Sequence, residues 1–233
     1  MRACTIVPAL DAAATIGGVV QDLTAQLAGT PVLVVDDGST DATGDVARAH
    51  GASVLRHERN RGKGAAIVTG LKEAQRRGLV VALTVDADGQ HPASSARLVL
   101  HGAADPRTLV LGVRDLVRDG APGANRFGNG VSNYFLSQFA GRRLRDTQCG
   151  LRRYPVSETL ALRTRADGYA FEAEVVLRSV AHGLPLVEVP VEVVYPPGDR
   201  RVSHFRSVRD PARIVLSVLR AVLELRLRGR VRR

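Results

Sequence analysis

Leu79-Val80-Val81-Ala82-Leu83-Thr84-Val85-Asp86-Ala87-Asp88-Gly89-Gln90-His91-Pro92 passes from an apolar segment straight into two carboxylates one residue apart. The apolar part, Leu79–Val85, reads as a buried strand, and strand alternation puts Asp86 and Asp88 on one face. Gly89 lets the chain turn away while Gln90 reaches the same place. Magnesium and manganese take a few hard oxygens from protein and leave their other positions to water and substrate phosphates. Asp86, Asp88 and Gln90 are therefore a candidate site for a divalent cation (Mg or Mn). Alone, the D-x-D fits a solvated strand end or a helix cap equally well, so its neighbours must decide.

Working back toward the start, apolar strands alternate with helical segments. Strands are expected at Cys4–Val7, Pro31–Val35 and Ala52–Leu55, and helices over Thr15–Leu27, from Thr40/Asp41 to about His50, and over Gly62–Gly78. Such alternation implies a mostly parallel sheet covered by helices on both faces, whose ligands gather at the carboxyl ends of the strands. The polar clusters of this half all lie there: Asp36-Asp37-Gly38-Ser39, Asn60-Arg61-Gly62-Lys63-Gly64 and Asp86-Ala87-Asp88. Each has a plain reading as a turn or capped helix start. Together they suit a nucleotide: carboxylates for a base or ribose, and cations with glycines at a helix N-terminus for a diphosphate. The G-x-x-x-x-G-K-[ST] spacing of a P-loop is missing.

Forward of the D-x-D the order is less regular. A strand is expected at Thr108–Gly112, a Gly-, Arg- and Asn-rich loop over Arg114–Gly130, and helices at Asn129–Phe139 and Phe171–Ala181. An alternating edge or crossing strand is expected at Leu186–Val194, before Pro196-Pro197-Gly198. The 233 residues fit one α/β domain over 1–210, followed by a basic extension over 211–233. Net charge is +10. Residues 200–233 hold eleven Arg against Asp210 and Glu224, or +9 (11 − 2), which leaves +1 (10 − 9) for the remainder. That confinement, with only four Tyr and five Phe, argues against nucleic acid as a partner. On a helical wheel Arg213, Ser217, Arg220, Glu224 and Arg228 form one polar stripe beside a broad Ile/Val/Leu face. Such a helix can lie in a membrane interface, or dock on the protein core or a sister subunit. Two cysteines far apart, Cys4 and Cys149, suggest neither zinc nor a disulfide framework, and no apolar run spans a bilayer. The expectation is a cytoplasmic protein without a signal peptide, peripheral on the cytoplasmic membrane face.

The run Val35–Asp41, then Asn60–Gly64, then Asp86–Pro92 resembles the family 2 glycosyltransferases of GT-A fold. The second half resembles the polyprenyl (dolichyl) phosphate mannose and glucose synthases among them. It does so through Gly112-Val113-Arg114, Arg126 with Asn129 and Ser132-Asn133, Asp146–Arg152, Phe171–Glu174, Val189–Val191 and Arg201–Phe205. The resemblance implies an α/β GT-A (Rossmann-like) fold. The donor, a nucleotide-diphosphate sugar (GDP-mannose or UDP-hexose), would be met by Pro8, Asp11, Asp36, Asp37, Arg61, Lys63 and Asp86. Asp86, Asp88 and Gln90 would hold the metal. Arg114, Arg126 and Ser132, helped by Arg201 and Ser203, would receive a polyprenyl phosphate, with Asp88, Arg114 and Arg126 closest to the chemistry. The family usually shows an Asn-Glu-like pair after the first Pro; here Asp11 stands in the first place and Ala12 in the second.

These residues imply displacement at the anomeric carbon with inversion, the metal neutralising charge on the leaving diphosphate. A lipid monophosphate is already an anion and needs arginine forks more than a base. A sugar hydroxyl would need a carboxylate base, for which Asp146, Glu172 and Glu174 are the candidates. The rivals are the same fold acting on a soluble or glycan hydroxyl acceptor, a nucleotidyltransferase, and a non-catalytic membrane-associated scaffold. A membrane partner protein or a homo-oligomer is left open.

Overall fold

The computed structural model describes residues 1–120, 123–165, 168, 170–194 and 220–225. Seven strands form one sheet: β1 (Ala3–Ala9), β2 (Val32–Asp36), β3 (Ser53–Arg56), β4 (Val81–Thr84), β5 (Leu109–Arg114), β6 (Arg152–Pro155) and β7 (Leu186–Val191). Their order is β3-β2-β1-β4-β6-β5-β7, parallel except for β6, which runs antiparallel to both its neighbours. Among the described residues they are accompanied by helices α1 (Ile16–Gln26), α2 (Thr43–Ala49), α3 (Lys63–Arg76), α4 (Ala93–Leu100), α5 (Gly123–Ala140), α6 (Val156–Ala161) and α7 (Ala170–Ala181).

Period-two alternation sorts the strand residues into two cores. Cys4, Ile6, Leu33, Val35, Ala82, Leu109 and Leu111 face α3, α5, α6 and α7, where they meet Ile67, Leu71, Leu136 and Phe171. Val7, Val32, Val34, Val81, Leu83 and Val110 face α1, α2 and α4, meeting Ile16, Val20, Leu23 and Val99. Every residue of β1, β2 and β4 is buried. Each Val, Leu or Ile taken fully out of water there stabilises the fold by about 1.5–3 kcal/mol. Pro8 is tolerated in central β1 because β4 pairs only with Ala3–Ile6, so its missing N–H falls beyond that ladder.

The fold is the expected α/β GT-A architecture, with three differences of detail. The loop expected over Arg114–Gly130 is already helical from Gly123, so α5 is one long helix. Strand β4 stops at Thr84, and the D-x-D lies in the turn beyond it. Strand β6, inserted between β4 and β5, is not foreshadowed by the sequence pattern. Its four residues include Arg152 and Arg153, both fully buried. Arg152 donates to the carbonyls of Thr147, Cys149 and Glu172, and Arg153 to those of Leu100, Ala103 and Asp105. Solvating carbonyls is how two adjacent arginines enter a core.

Residues 220–225 form a helical segment. Ala221, Val222 and Leu225 pack into the core beside Leu136, and Glu224 reaches Arg178 at 2.7 Å. This part of the tail's apolar face is thus docked on protein, while Leu223 is exposed. Arg201, Ser203 and the remainder of the extension lie outside the described residues.

Candidate active site

The turn after β4 is built by hydrogen bonds from distant segments. Thr15 Oγ1 donates to the Ala87 carbonyl at 2.6 Å, Thr84 Oγ1 to Gly150 at 2.8 Å, and Val194 N–H to Gln90 at 2.8 Å. The Gln90 amide closes the turn onto Asp88 Oδ1 at 3.0 Å. Asp86 is held tightly from the opposite side: a Cβ on Gly150 would collide with Asp86 Oδ2. Only a residue without a side chain lets the chain before β6 pass so close.

Asp86 and Asp88 perturb one another. Burial, and then the charge of Asp86, push the Asp88 carboxyl up to about 6. Burial opposes ionisation of Asp86 too, but Lys63, helped by the charge of Arg114, outweighs it and holds Asp86 below the usual carboxylate range. A carboxyl raised by a neighbouring acid is relieved by a divalent cation, and hard carboxylate oxygens are the donors Mg and Mn prefer. The donor set therefore fits such a cation. Among the described residues no three His, Cys, Asp or Glu side chains converge into a complete cage.

Lys63, expected beside a diphosphate, extends from the start of α3. Its Nζ lies 2.7 Å from Asp86 Oδ1 and 3.1 Å from Glu172 Oε1. The start of α3 can approach α7 because Gly64 has no Cβ; one would sit 2.6 Å from Phe171 Cβ. Burial outweighs the attraction of Asp86 and lowers the His91 pKa, so a neutral imidazole stands beside the D-x-D.

The loops after β1, β2 and β3 are laced together by carboxylates that accept backbone amides. Asp36 Oδ1 accepts from Ser39 N–H at 2.8 Å. Asp37 accepts from Arg61 N–H at 3.0 Å and Gly62 N–H at 2.7 Å, and His57 Nδ1 lies 2.6 Å from it. Thr69 Oγ1, 2.9 Å from His57 Nε2, completes the chain. Gly38 makes the crossing possible: its φ is +81°, and a Cβ would lie 2.6 Å from the Arg59 carbonyl carbon. Asp36 and Asp37 are both buried, so they shape these loops and present little open surface to a base or ribose. Asp11, in contrast, is exposed at φ 46° and accepts from Thr40 N–H at 2.8 Å. Arg61 is exposed.

Beyond the D-x-D, the carboxyl end of β5 delivers Arg114. Its guanidinium grips Asp146 through two bonds, 2.7 and 3.1 Å, and Asn129 adds a third at 3.1 Å. Burial opposes ionisation of Asp146, but Arg114 outweighs it and keeps the carboxyl below its usual range. Arg114 also lines a cleft of about 1110 Å³ with Arg118, Arg126, Arg142, Arg143 and Arg145, with Asp115 the sole acid among its described lining residues. Exposed Arg126 projects from α5 into this space. Ser132 does not line it: the side chain is buried, and its hydroxyl shares a 2.9 Å hydrogen bond with Thr147. The direct phosphate contact expected of Ser132 is replaced by a role in joining α5 to the chain before β6.

Residues 4–157 match the model of Glycosyl transferase family 2. The chain belongs to that family. This transferase is 30% identical over 216 residues to a dolichyl-phosphate hexose transferase of Haloferax volcanii, covering 91% of this chain and 90% of that one. It is 29% identical over 210 residues to an undecaprenyl-phosphate mannosyltransferase of Micrococcus luteus, covering 83% and 84%. Its fold matches a glucosyl-3-phosphoglycerate synthase of Mycobacterium tuberculosis, solved with Mn2+, UDP and glucosyl-3-phosphoglycerate. That match has a TM-score of 0.70 at 18% identity, covering 96% of this chain and 79% of that one.

The three carboxylates considered as a base are all committed in this transferase. Asp146 is held by Arg114, Glu172 lies against Lys63, and Glu174 binds Arg178 at 2.6 Å. The sequence did not single out His57 as the brace of Asp37, or Gly150 as the residue that admits Asp86. Neither carries a local signal, since both roles arise from segments far apart in the chain.

Proposed function

We propose that this family 2 enzyme is an inverting hexosyltransferase that moves a sugar from a nucleoside-diphosphate donor to a polyprenyl phosphate, with a divalent cation at Asp86, Asp88 and Gln90. The observation that carries the reading is the arginine-lined cleft opening at Arg114, whose charge acts on Asp86, combined with the absence of an uncommitted carboxylate among Asp146, Glu172 and Glu174. A phosphate nucleophile is already ionised, so it requires cations and no general base. The names of the Haloferax and Micrococcus relatives support the same acceptor class.

In this reading the donor lies over the loops after β1, β2 and β3, framed by Pro8, Asp11, Asp36 and Asp37, with Arg61 and Lys63 toward its diphosphate. Bound at the D-x-D, the cation would act as a Lewis acid on the leaving phosphate. Arg126 and the outward edge of Arg114 hold the acceptor phosphate, and Arg201 and Ser203 assist. Direct attack on the anomeric carbon inverts its configuration.

The test supplies purified protein with Mn2+ or Mg2+ and labelled GDP-mannose, UDP-glucose or UDP-GlcNAc, with and without a short polyprenyl phosphate. Label entering the organic phase with one donor supports the reading. Transfer to a soluble acceptor alone, or donor hydrolysis unaffected by the lipid, overturns the acceptor assignment. Full turnover in chelator overturns the cation.

A further inference from the structure

Lys63 stands between two carboxylates and fully satisfies only one of them. Its Nζ lies 2.7 Å from Asp86 Oδ1 in the D-x-D turn and 3.1 Å from Glu172 Oε1 on α7. Glu172 Oε1 is buried, yet among the described residues it accepts no hydrogen bond. A buried acceptor without a donor is an unfavourable state, so Glu172 is a second station already built within reach of Nζ. The backbone that carries Lys63 is fixed on both sides. Gly62 N–H donates to Asp37 Oδ2 at 2.7 Å, and Gly64, lacking a Cβ, lets α3 sit against Phe171, the neighbour of Glu172. Only the side chain is left to move, and a lysine ammonium on its flexible stem can turn between two acceptors. Asp86, meanwhile, is crowded by Gly150 from one side and covered at Oδ1 by Nζ.

We propose that Lys63 is an exchangeable counter-ion, which occupies Asp86 until a divalent cation arrives and then turns to Glu172, leaving Asp86 Oδ1 to the metal. A metal ion and an ammonium repel one another when they crowd the same carboxylate oxygen, so the two compete for it. Glu172 is then a positioning residue: it acts on the cation site through Lys63, by drawing Nζ away, and not by touching the metal. This gives a use to a carboxylate that is committed too firmly to serve as a base. The exchange presupposes the cation assigned under the proposed function and adds to it the roles of Lys63 and Glu172.

The test is Mn2+ binding by the full chain without donor or acceptor, followed by the paramagnetic resonance signal of the free ion at about pH 8, above the carboxylate range. Lys63→Met should tighten Mn2+ binding on the order of tenfold, the size of coupling expected between two competing ligands. Glu172→Gln should weaken it severalfold, because Lys63 then stays on Asp86. In the double variant, Glu172→Gln should have no further effect, since the group it acts through is gone. Melting curves check that each variant folds, and Mn2+ should raise the midpoint of Lys63→Met by more than it raises the parent's. Lys63→Gln, which keeps a neutral donor between the two acids, serves in the same way if Lys63→Met does not fold. A lowered melt with parental Mn2+ affinity would make Lys63 a fixed structural tie and overturn the exchange. An equal effect of Glu172→Gln with and without Lys63 would overturn it too, since the Glu172 charge would then act on the metal directly. A parent that takes up no Mn2+ overturns the cation assignment itself and the exchange with it, whereas a parent that binds Mn2+ and variants that bind it equally well overturn the exchange alone.

Discussion

On the β1–β3 side of the D-x-D, buried carboxylates accept backbone amides; on the β5–β7 side, arginines donate to backbone carbonyls and to one buried aspartate. Buried Asp37 and exposed Asp41 tie loop to loop through N–H groups at Arg61, Gly62 and Ala13, and buried Asp36 closes its own turn through Ser39. Arg152 and Arg153 tie strand to loops and helices through six carbonyl groups, and Arg114 ties strand to loop through Asp146. The two systems meet where Lys63 from one half reaches Asp86 and Glu172. One half is therefore braced by anions and the other by cations, and the difference prepares them for different ligands. The first needs preformed loops around a nucleotide. The second needs positive potential for a phosphate.

The largest expected effect comes from breaking the junction. Asp88→Ala should lower transfer about a thousandfold, the several kcal/mol expected of a lost cation ligand, while the thermal midpoint is unchanged or rises because a mutually repelling acid is gone. A steady-state assay with a melting curve checks both, and undiminished Mn2+-dependent turnover would remove the D-x-D from the mechanism.

Next is the cationic brace. Arg152→Met should destabilise the protein by about 3 kcal/mol, because three buried carbonyls lose their donors at once. A urea midpoint close to that of the parent would show that water or another group serves those carbonyls.

Gly150→Ala sharpens the comparison at the point of contact. The methyl group drives Asp86 from its position, costing about 1–3 kcal/mol of packing and weakening Mn2+ binding by titration calorimetry on the order of tenfold. A variant with parental Mn2+ affinity would mean that Asp86 tolerates displacement.

The smallest effect separates the halves by pH. Because Arg114 holds the folded Asp146 carboxyl below its unfolded value, its stabilisation is complete above the ordinary carboxylate pKa and fades as pH falls through the lowered one. Asp146→Asn should therefore narrow the gap between parent and variant melting temperatures as pH drops below about 4. A gap independent of pH would assign the loss to packing alone.

The contrast also explains what could be read in the chain. Asp36, Asp37, Arg61, Lys63, Asp86 and Asp88 stand out because apolar strands deliver polar clusters to one end of a parallel sheet. The D-x-D and the strands around it are set by local pattern and turn chemistry. Arg152 and Arg153 look like ordinary surface charge for the same reason: a four-residue strand has no period to read, and an arginine's burial depends on carbonyls supplied from elsewhere.

The sequence by itself determined the alternation of strands and helices, the family, and which residue types cluster at the strand ends. Periodicity and turn residues act within a few positions, so they are visible locally. Only the tertiary structure decided that Asp36 and Asp37 brace loops, that Ser132 faces Thr147, and that Gly150 makes room for Asp86. It alone placed Lys63 between Asp86 and Glu172, where α3 crosses α7. Each depends on which distant backbone group reaches a side chain first, and that is fixed by packing, not by spacing along the chain.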